Sequence, residues 1–170
     1  MPAPKTLELR GERVVLRVTA PEDAPTLRAV HSEPEVCAWW NLPGEHWPFD
    51  DDPETVYLTM WLEGEIAGFI QFTEEPEPEY RHASIDIFVA PAHHRQGLAS
   101  DAMRTVIRHL VAARGHHRIL IDPAADNRAA IACYEKAGFQ PVGVMHSAWR
   151  DLSGRWRDVL LLELVERTGE

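Results

Sequence analysis

Cysteine is scarce in this chain: of 170 residues only Cys37 and Cys133 carry a thiol. Two thiols build no disulfide framework, so reduced cysteines and a cytoplasmic setting are expected. Long apolar runs are also missing. None approaches the roughly 20 residues needed to cross a bilayer, and residues 1–5 lack the apolar stretch of a signal peptide, so no membrane partner is expected. Basic residues are the minority, 17 Lys and Arg against 27 Asp and Glu, for a net charge of −10. That balance argues against nucleic acid as a partner, since phosphate contacts need a basic face. It suits a cationic small molecule, although many enzymes are acidic without binding one. The histidines His93-His94 and His116-His117 are adjacent rather than four apart, and nothing supplies a third ligand, so no metal is expected. No repeat or linker divides the sequence, and residues 1–170 read as a single domain with enough length for a core.

What is present is an alternation of strands and helices. Leu7 to Val18 reads as a hairpin turning at Gly11-Glu12, because Val14, Leu16 and Val18 alternate. Thr19 opens a helix that runs to about Ser32, and a second short helix covers Glu33 to Trp40. Asn41 to Pro53 is a loop rich in proline and acid. Strands at Val56 to Leu62 and Glu65 to Thr73 flank the Glu63-Gly64 turn, and Glu74 to Glu79 forms a second acidic connection. Ile85 to Val89 alternates as a half-buried strand does. Leu98, Ala102, Met103, Val106, Ile107, Leu110 and Val111 then fall on one helical face. Arg118 to Ile121 is another strand, and a hairpin of Val142 to Ala148 and Trp156 to Val165 turns at Ser153-Gly154. The pattern is α/β with a mixed sheet.

Two segments carry chemistry. Residues 94–100, His-Arg-Gln-Gly-Leu-Ala-Ser, join a strand to a helix through a glycine-bearing turn. The first N–H groups of a helix have no internal partner, and the helix dipole adds positive potential there, so such a turn can hold a phosphate. It is neither a Walker loop nor a dinucleotide fingerprint, because the required Gly-Lys-Ser/Thr and the further glycines are absent. The second segment begins at Asp122-Pro123 and continues as Asn127-Arg-Ala-Ala130-Ile-Ala-Cys133-Tyr134-Glu-Lys136-Ala-Gly138-Phe139. Asn127 suits an N-cap and Gly138 a C′ position, with Phe139 folding back on the last turn. Together the two segments resemble the GNAT acetyltransferase superfamily, with its R/Q-x-x-G-x-G/A coenzyme turn and its N-x-x-A-I-x-x-Y-E-K-x-G-F helix. The resemblance extends from about Leu7 to Leu164.

That resemblance implies the acyl-CoA N-acyltransferase fold: a mixed, mostly antiparallel sheet with splayed central parallel strands, flanked by helices. It implies acetyl-CoA as co-substrate, held by Phe88, Val89, His94, Arg95, Gln96, Gly97, Leu98, Ala99, Ser100, Asn127, Ala130, Tyr134 and Lys136. His94 stands where the family has Arg or Gln, and Arg95 where it has a small residue; neither change removes a backbone donor. Tyr134 would protonate the departing thiolate, since a phenol near pKa 10 keeps its proton until a thiolate of conjugate pKa near 8.5 forms. Read from the residues alone, Tyr134 is equally a core aromatic and Lys136 a solvated surface lysine.

Asp86 interrupts an apolar strand on the face shared with Ser84 and Phe88, and a carboxylate there needs a partner or a wet cleft. Asp122 closes the next strand, at the end where α/β sheets bind ligands. These positions resemble the G-I-D and T-D-P segments of aminoglycoside 6′-N-acetyltransferases, through Ser84-Ile85-Asp86 and Ile121-Asp122-Pro123. Trp39-Trp40 is similar to their Trp-Trp pair. The resemblance makes Asp86 the base or amine anchor, Asp122 a ligand for ammonium groups, and Trp39 and Trp40 part of the acceptor site. Trp47 is also expected beside the acidic loop, where an indole can stack on a sugar ring. Other readings are a ribosomal-protein or peptide N-terminal acetyltransferase, which Leu9 to Arg17 also resembles, a polyamine acetyltransferase, and a coenzyme-binding module without catalysis. A monomer and a homodimer are both compatible with the sequence.

Overall fold

Alternation along the strands sorts the side chains into two layers in the computed structural model, which describes residues 6–167. Residues 1–5, read above as lacking an apolar stretch, lie outside that range. The chain runs β1 (Glu8–Arg10), β2 (Val15–Val18), α1 (Ala24–His31), α2 (Pro34–Trp40), β3 (Thr55–Leu62), β4 (Glu65–Glu74) and β5 (Ala83–Val89). It continues through α3 (Leu98–Ala112), β6 (Arg118–Ile121), α4 (Arg128–Lys136), β7 (Gln140–Arg150) and β8 (Trp156–Val165). The strands form one sheet in the order β1-β2-β3-β4-β5-β6-β8-β7. Every neighbouring pair is antiparallel except β5 and β6. In β5, Ile85, Ile87 and Val89 join the core under α3 and α4, whereas Phe88 joins a second core with Leu27, Val30 and Val36 of α1 and α2. A period of two along a strand produces this division.

Helix α3 docks through Leu98, Ala102, Met103, Val106 and Leu110, all buried. Asp101 lies on the same buried side and is only 4% exposed. Its carboxylate accepts the backbone N–H groups of Glu12, Arg13 and Val14 at 2.8, 2.8 and 3.0 Å. Burial pushes this carboxyl up, but the three amides hold it below its ordinary value. Gly11 lets the turn come this close, since a Cβ there would stand 2.6 Å from Asp101 Oδ1. Arg13 Nη1 then donates to the carbonyl of Gln96 at 2.8 Å. The β1–β2 turn therefore braces the loop that precedes α3.

The elements follow the sequence reading closely, with instructive departures. The helix expected from Thr19 begins as a 3-10 turn over Pro21–Asp23 before α1. Asp23 Oδ2 accepts from Ala20 N and from Thr59 Oγ1, tying that turn to β3. Trp47 does not flank an open loop; it is 8% exposed and packs on His31, Phe69 and Phe88. Arg28 draws it in by donating to the carbonyls of Gly44 and Trp47 at 2.8 and 2.6 Å. Glu74 is likewise no free loop acid. It ends β4 and is tied to Arg114 and to His116 Nε2, the latter at 2.7 Å. Among the described residues no helix is long and apolar enough to cross a membrane.

Candidate active site

The parallel pairing of β5 with β6 is recorded only at Ala83–Ile119 and Ser84–Leu120. Beyond those rungs β5 continues to Val89 beside β4 alone, and the sheet opens into a wedge. Asp86 and Asp122 each lie two residues past the last pair, one on either lip. Gln71, opposite Asp86 in the β4–β5 ladder, donates Nε2 to Asp86 Oδ2 at 3.0 Å. Burial raises the Asp86 carboxyl above the ordinary range, with Gln71 pulling against it. Asp122 opens to the cleft, yet burial on its protein side and then the negative charge of Asp86 push it up to about 6. Two like charges this close titrate as a coupled pair.

A cleft of about 1010 Å³ occupies the wedge. Of the residues singled out from the sequence, Trp39, Trp40, Asp86, Phe88, Val89, His94, Arg95, Gly97, Leu98, Ala99, Ser100, Asp122, Asn127, Ala130 and Tyr134 line it. Gln96 and Lys136 do not: the Gln96 carbonyl faces Arg13, and Lys136 is exposed near the end of α4. At the head of α3, Arg95 and Gly97 adopt left-handed backbone with φ of 61° and 75°. The backbone N–H groups of Arg95 through Ser100 donate to no carbonyl or side chain among the described residues. Alternating handedness turns such donors toward one concavity, a geometry suited to phosphate oxygens. The site therefore fits a coenzyme pyrophosphate, with the Arg95 guanidinium as a further positive charge. His94 Nε2 is paired with the Val89 carbonyl at 2.8 Å.

Asn127 caps α4, its Oδ1 accepting from Ala130 N at 3.3 Å. The preceding loop is fixed by β8 through Leu160 N to Pro123 O and Ala125 N to Asp158 O, each 2.9 Å. Two turns along α4, Tyr134 is 8% exposed and packs against Phe139. Burial first, and then the charges of Cys133, Asp86 and Asp122, raise its phenol above the ordinary value. No hydrogen-bonding partner enters that balance. Cys133 lines the cleft beside Ser100 Oγ, 3.5 Å away.

Sequence reasoning did not find Gln71, Asn41 or Trp149, all of which line the cleft. Gln71 is a lone amide within an apolar strand, a signal that acquires meaning only once the register sets it opposite Asp86. Asn41 ends α2 with φ 60° and donates Nδ2 to the Arg150 carbonyl at 2.9 Å. Trp149 arrives from β7 with its indole N–H unpartnered among the described residues, and no motif marks it. Among the described residues no group of three His, Cys, Asp or Glu side chains could hold a metal.

Residues 21–139 match the Acetyltransferase (GNAT) family. The chain belongs to that family. An L-amino acid N-acetyltransferase, AaaT, of Escherichia coli strain K12 is 28% identical over 137 residues, which are 76% of this chain and 85% of that protein. An aminoglycoside N(6′)-acetyltransferase type 1 of Klebsiella pneumoniae is 27% identical over 159 residues, 79% and 78% of the two chains. The spermidine N-acetyltransferase of Vibrio cholerae, solved with CoA and spermine, superposes with a TM-score of 0.79 at 19% identity, covering 91% of this chain and 96% of that one. This GNAT protein is thus an acyltransferase that uses acetyl-CoA to acetylate an amine.

Proposed function

We propose that this acetyltransferase, acting as a single domain, transfers acetyl from acetyl-CoA directly to a primary amine of a polycationic small molecule, foremost the 6′-amine of an aminoglycoside. The observation that carries the reading is the pair of carboxylates, Asp86 and Asp122, on opposite lips of the wedge beside Tyr134. Acetyl-CoA supplies the acetyl group as a thioester. The amides of Arg95 through Ser100 hold the pyrophosphate, and Asn127 and the Val89 strand end flank the pantetheine arm. Asp122 anchors an ammonium group while Asp86 orients the reacting nitrogen and receives its proton, directly or through water. An aspartate near pKa 4 is a poor base toward ammonium; burial of Asp86 makes it a better one. Tyr134 Oη donates to the sulfur as the carbon–sulfur bond breaks.

A polyamine acceptor is the second reading, because the same carboxylates suit any oligoamine and the Vibrio cholerae relative is a spermidine N-acetyltransferase. A thiol-release assay with kanamycin, tobramycin, spermidine and short peptides separates these classes. Kanamycin or tobramycin is expected to be acetylated, with KM rising as added salt screens the carboxylates. Turnover of peptides or polyamines alone would overturn the aminoglycoside assignment.

The pH profile gives an independent check. The ionised form of Asp122 binds the ammonium, so kcat/KM is expected to rise with pH through a limb near 6. Asp86→Asn removes a like charge, which favours ionisation of Asp122, and leaves the burial in place. The limb should therefore move part of the way toward the ordinary carboxylate range, with kcat lowered. An unmoved limb would dissociate Asp122 from the profile.

A further inference from the structure

An aspartate carboxylate turns readily about its last side-chain bond unless something holds one of its oxygens. Past Ser84, β5 has lost its β6 neighbour, and Asp86 faces the cleft with few partners. Asp122 at the end of β6 and Tyr134 on α4 feel its charge. The other charged or titratable groups of the cleft are Glu35 of α2, Cys133 of α4, and His93, His94 and Arg95 ahead of α3. None of these is among the influences on Asp86. Among the described residues one group donates to it: Gln71, from Nε2 to Oδ2 at 3.0 Å. Oδ1 accepts from no protein group among them.

Gln71 is placed for that single bond. It lies directly opposite Asp86 in the β4–β5 ladder, where side chains on one face have Cβ atoms about 5 Å apart. It is half-buried and lines the cleft itself. The kind of donor matters. An arginine would fix the carboxylate but would also neutralise it and lower its pKa. Three amides have that effect at Asp101, which stays below its ordinary value despite burial. At Asp86 one neutral amide leaves burial the stronger influence, and the pKa is raised. The amide thus fixes an orientation at little cost in basicity.

We propose that Gln71 is the positioning residue for the proton acceptor: by holding Oδ2 of Asp86 it presents Oδ1 to the reacting nitrogen. As the nitrogen lone pair attacks the thioester carbon, an N–H bond breaks and an O–H bond forms on Oδ1, directly or through water, while Gln71 stays bonded to Oδ2. The inference rests on the amine-acetyltransferase reading in which Asp86 takes the proton.

Gln71→Leu keeps most of the bulk and removes the donor. With kanamycin or spermidine, kcat is expected to fall about tenfold, while the dissociation constant of acetyl-CoA stays within about twofold. Losing a bond to the ionised carboxylate favours its protonated form, so the acid limb of kcat should move up by roughly half to one pH unit. In an Asp86→Asn background the same substitution should change kcat by less than about twofold, since the group it acts through is gone. An unmoved limb, or the full loss repeated in that background, would reduce Gln71 to packing. Wild-type turnover in Asp86→Asn alone would overturn Asp86 as acceptor, and the role of Gln71 with it. Should Gln71→Leu fail to fold, Gln71→Glu replaces it; two carboxyls sharing a proton raise the limb further, and an unmoved limb there is equally fatal. If neither amine is acetylated, the substrate reading fails, and carbon-13 NMR titration of the Asp86 carboxyl decides the link alone. A higher pKa in the Gln71 variant than in the wild type sustains it; an equal one overturns it.

Discussion

Gly97→Asp is expected to weaken acetyl-CoA binding by roughly a hundredfold or more, through charge repulsion and backbone strain acting together. Gly97 holds φ at 75°, and a Cβ there would meet nothing within 4 Å. The variant therefore has room to fold, at the modest cost of a left-handed non-glycine residue, which Arg95 already tolerates at φ 61°. What changes is the concavity formed by the free amides of Arg95 to Ser100. A carboxylate planted among donors meant for phosphate competes for them and repels the pyrophosphate. Gly97→Ala separates the effects, because it keeps the strain and omits the charge; its loss should be about tenfold or less. Isothermal titration with acetyl-CoA measures both. An unchanged dissociation constant for the aspartate variant would place the phosphates elsewhere.

Tyr134→Phe is expected to slow turnover by about 10- to 1000-fold while leaving coenzyme affinity and thermal stability near wild type. The side chain is buried against Phe139, and phenylalanine fills nearly the same space. Among the described residues no protein group bonds the hydroxyl, so its removal orphans no partner there. The raised phenol pKa refines the role. A phenol more basic than a thiolate of conjugate pKa near 8.5 stabilises the leaving sulfur by donating a hydrogen bond rather than by surrendering its proton early. The loss should then lie toward the lower end of the range. Single-turnover rates equal to wild type would reduce Tyr134 to packing and hand protonation to water.

Local chemistry made much of this protein readable from sequence. Strand alternation gave the two faces of β5, the apolar stripe gave α3, and Asn127 and Gly138 bounded α4 through caps that need no tertiary context. The GNAT fold, with its splayed parallel pair, followed from the resemblance those two segments carry. What stayed hidden depends on distant pairings. Gln71 matters because β4 sets it against Asp86, and Trp149 because β7 returns to the cleft at the far end of the chain. Glu74 read as a loop acid because its partners Arg114 and His116 lie 40 and 42 residues on. Trp47 read as exposed because the loop around it is polar, whereas Arg28 captures that loop by its main-chain carbonyls, which composition does not reveal.

The clamp by which Asp101 holds the amides of Glu12 to Val14 spans 87 to 89 positions of sequence. During synthesis the turn emerges long before its acceptor exists, so its docking is a late, long-range event of the kind that slows folding. The hand-off from Arg13 to the Gln96 carbonyl sets that event beside the coenzyme loop. A chain that has closed this contact has the turn at residues 11–14 and its phosphate cradle locked together. Any ligand that binds only the native cradle stabilises the state in which both ends of the clamp are joined.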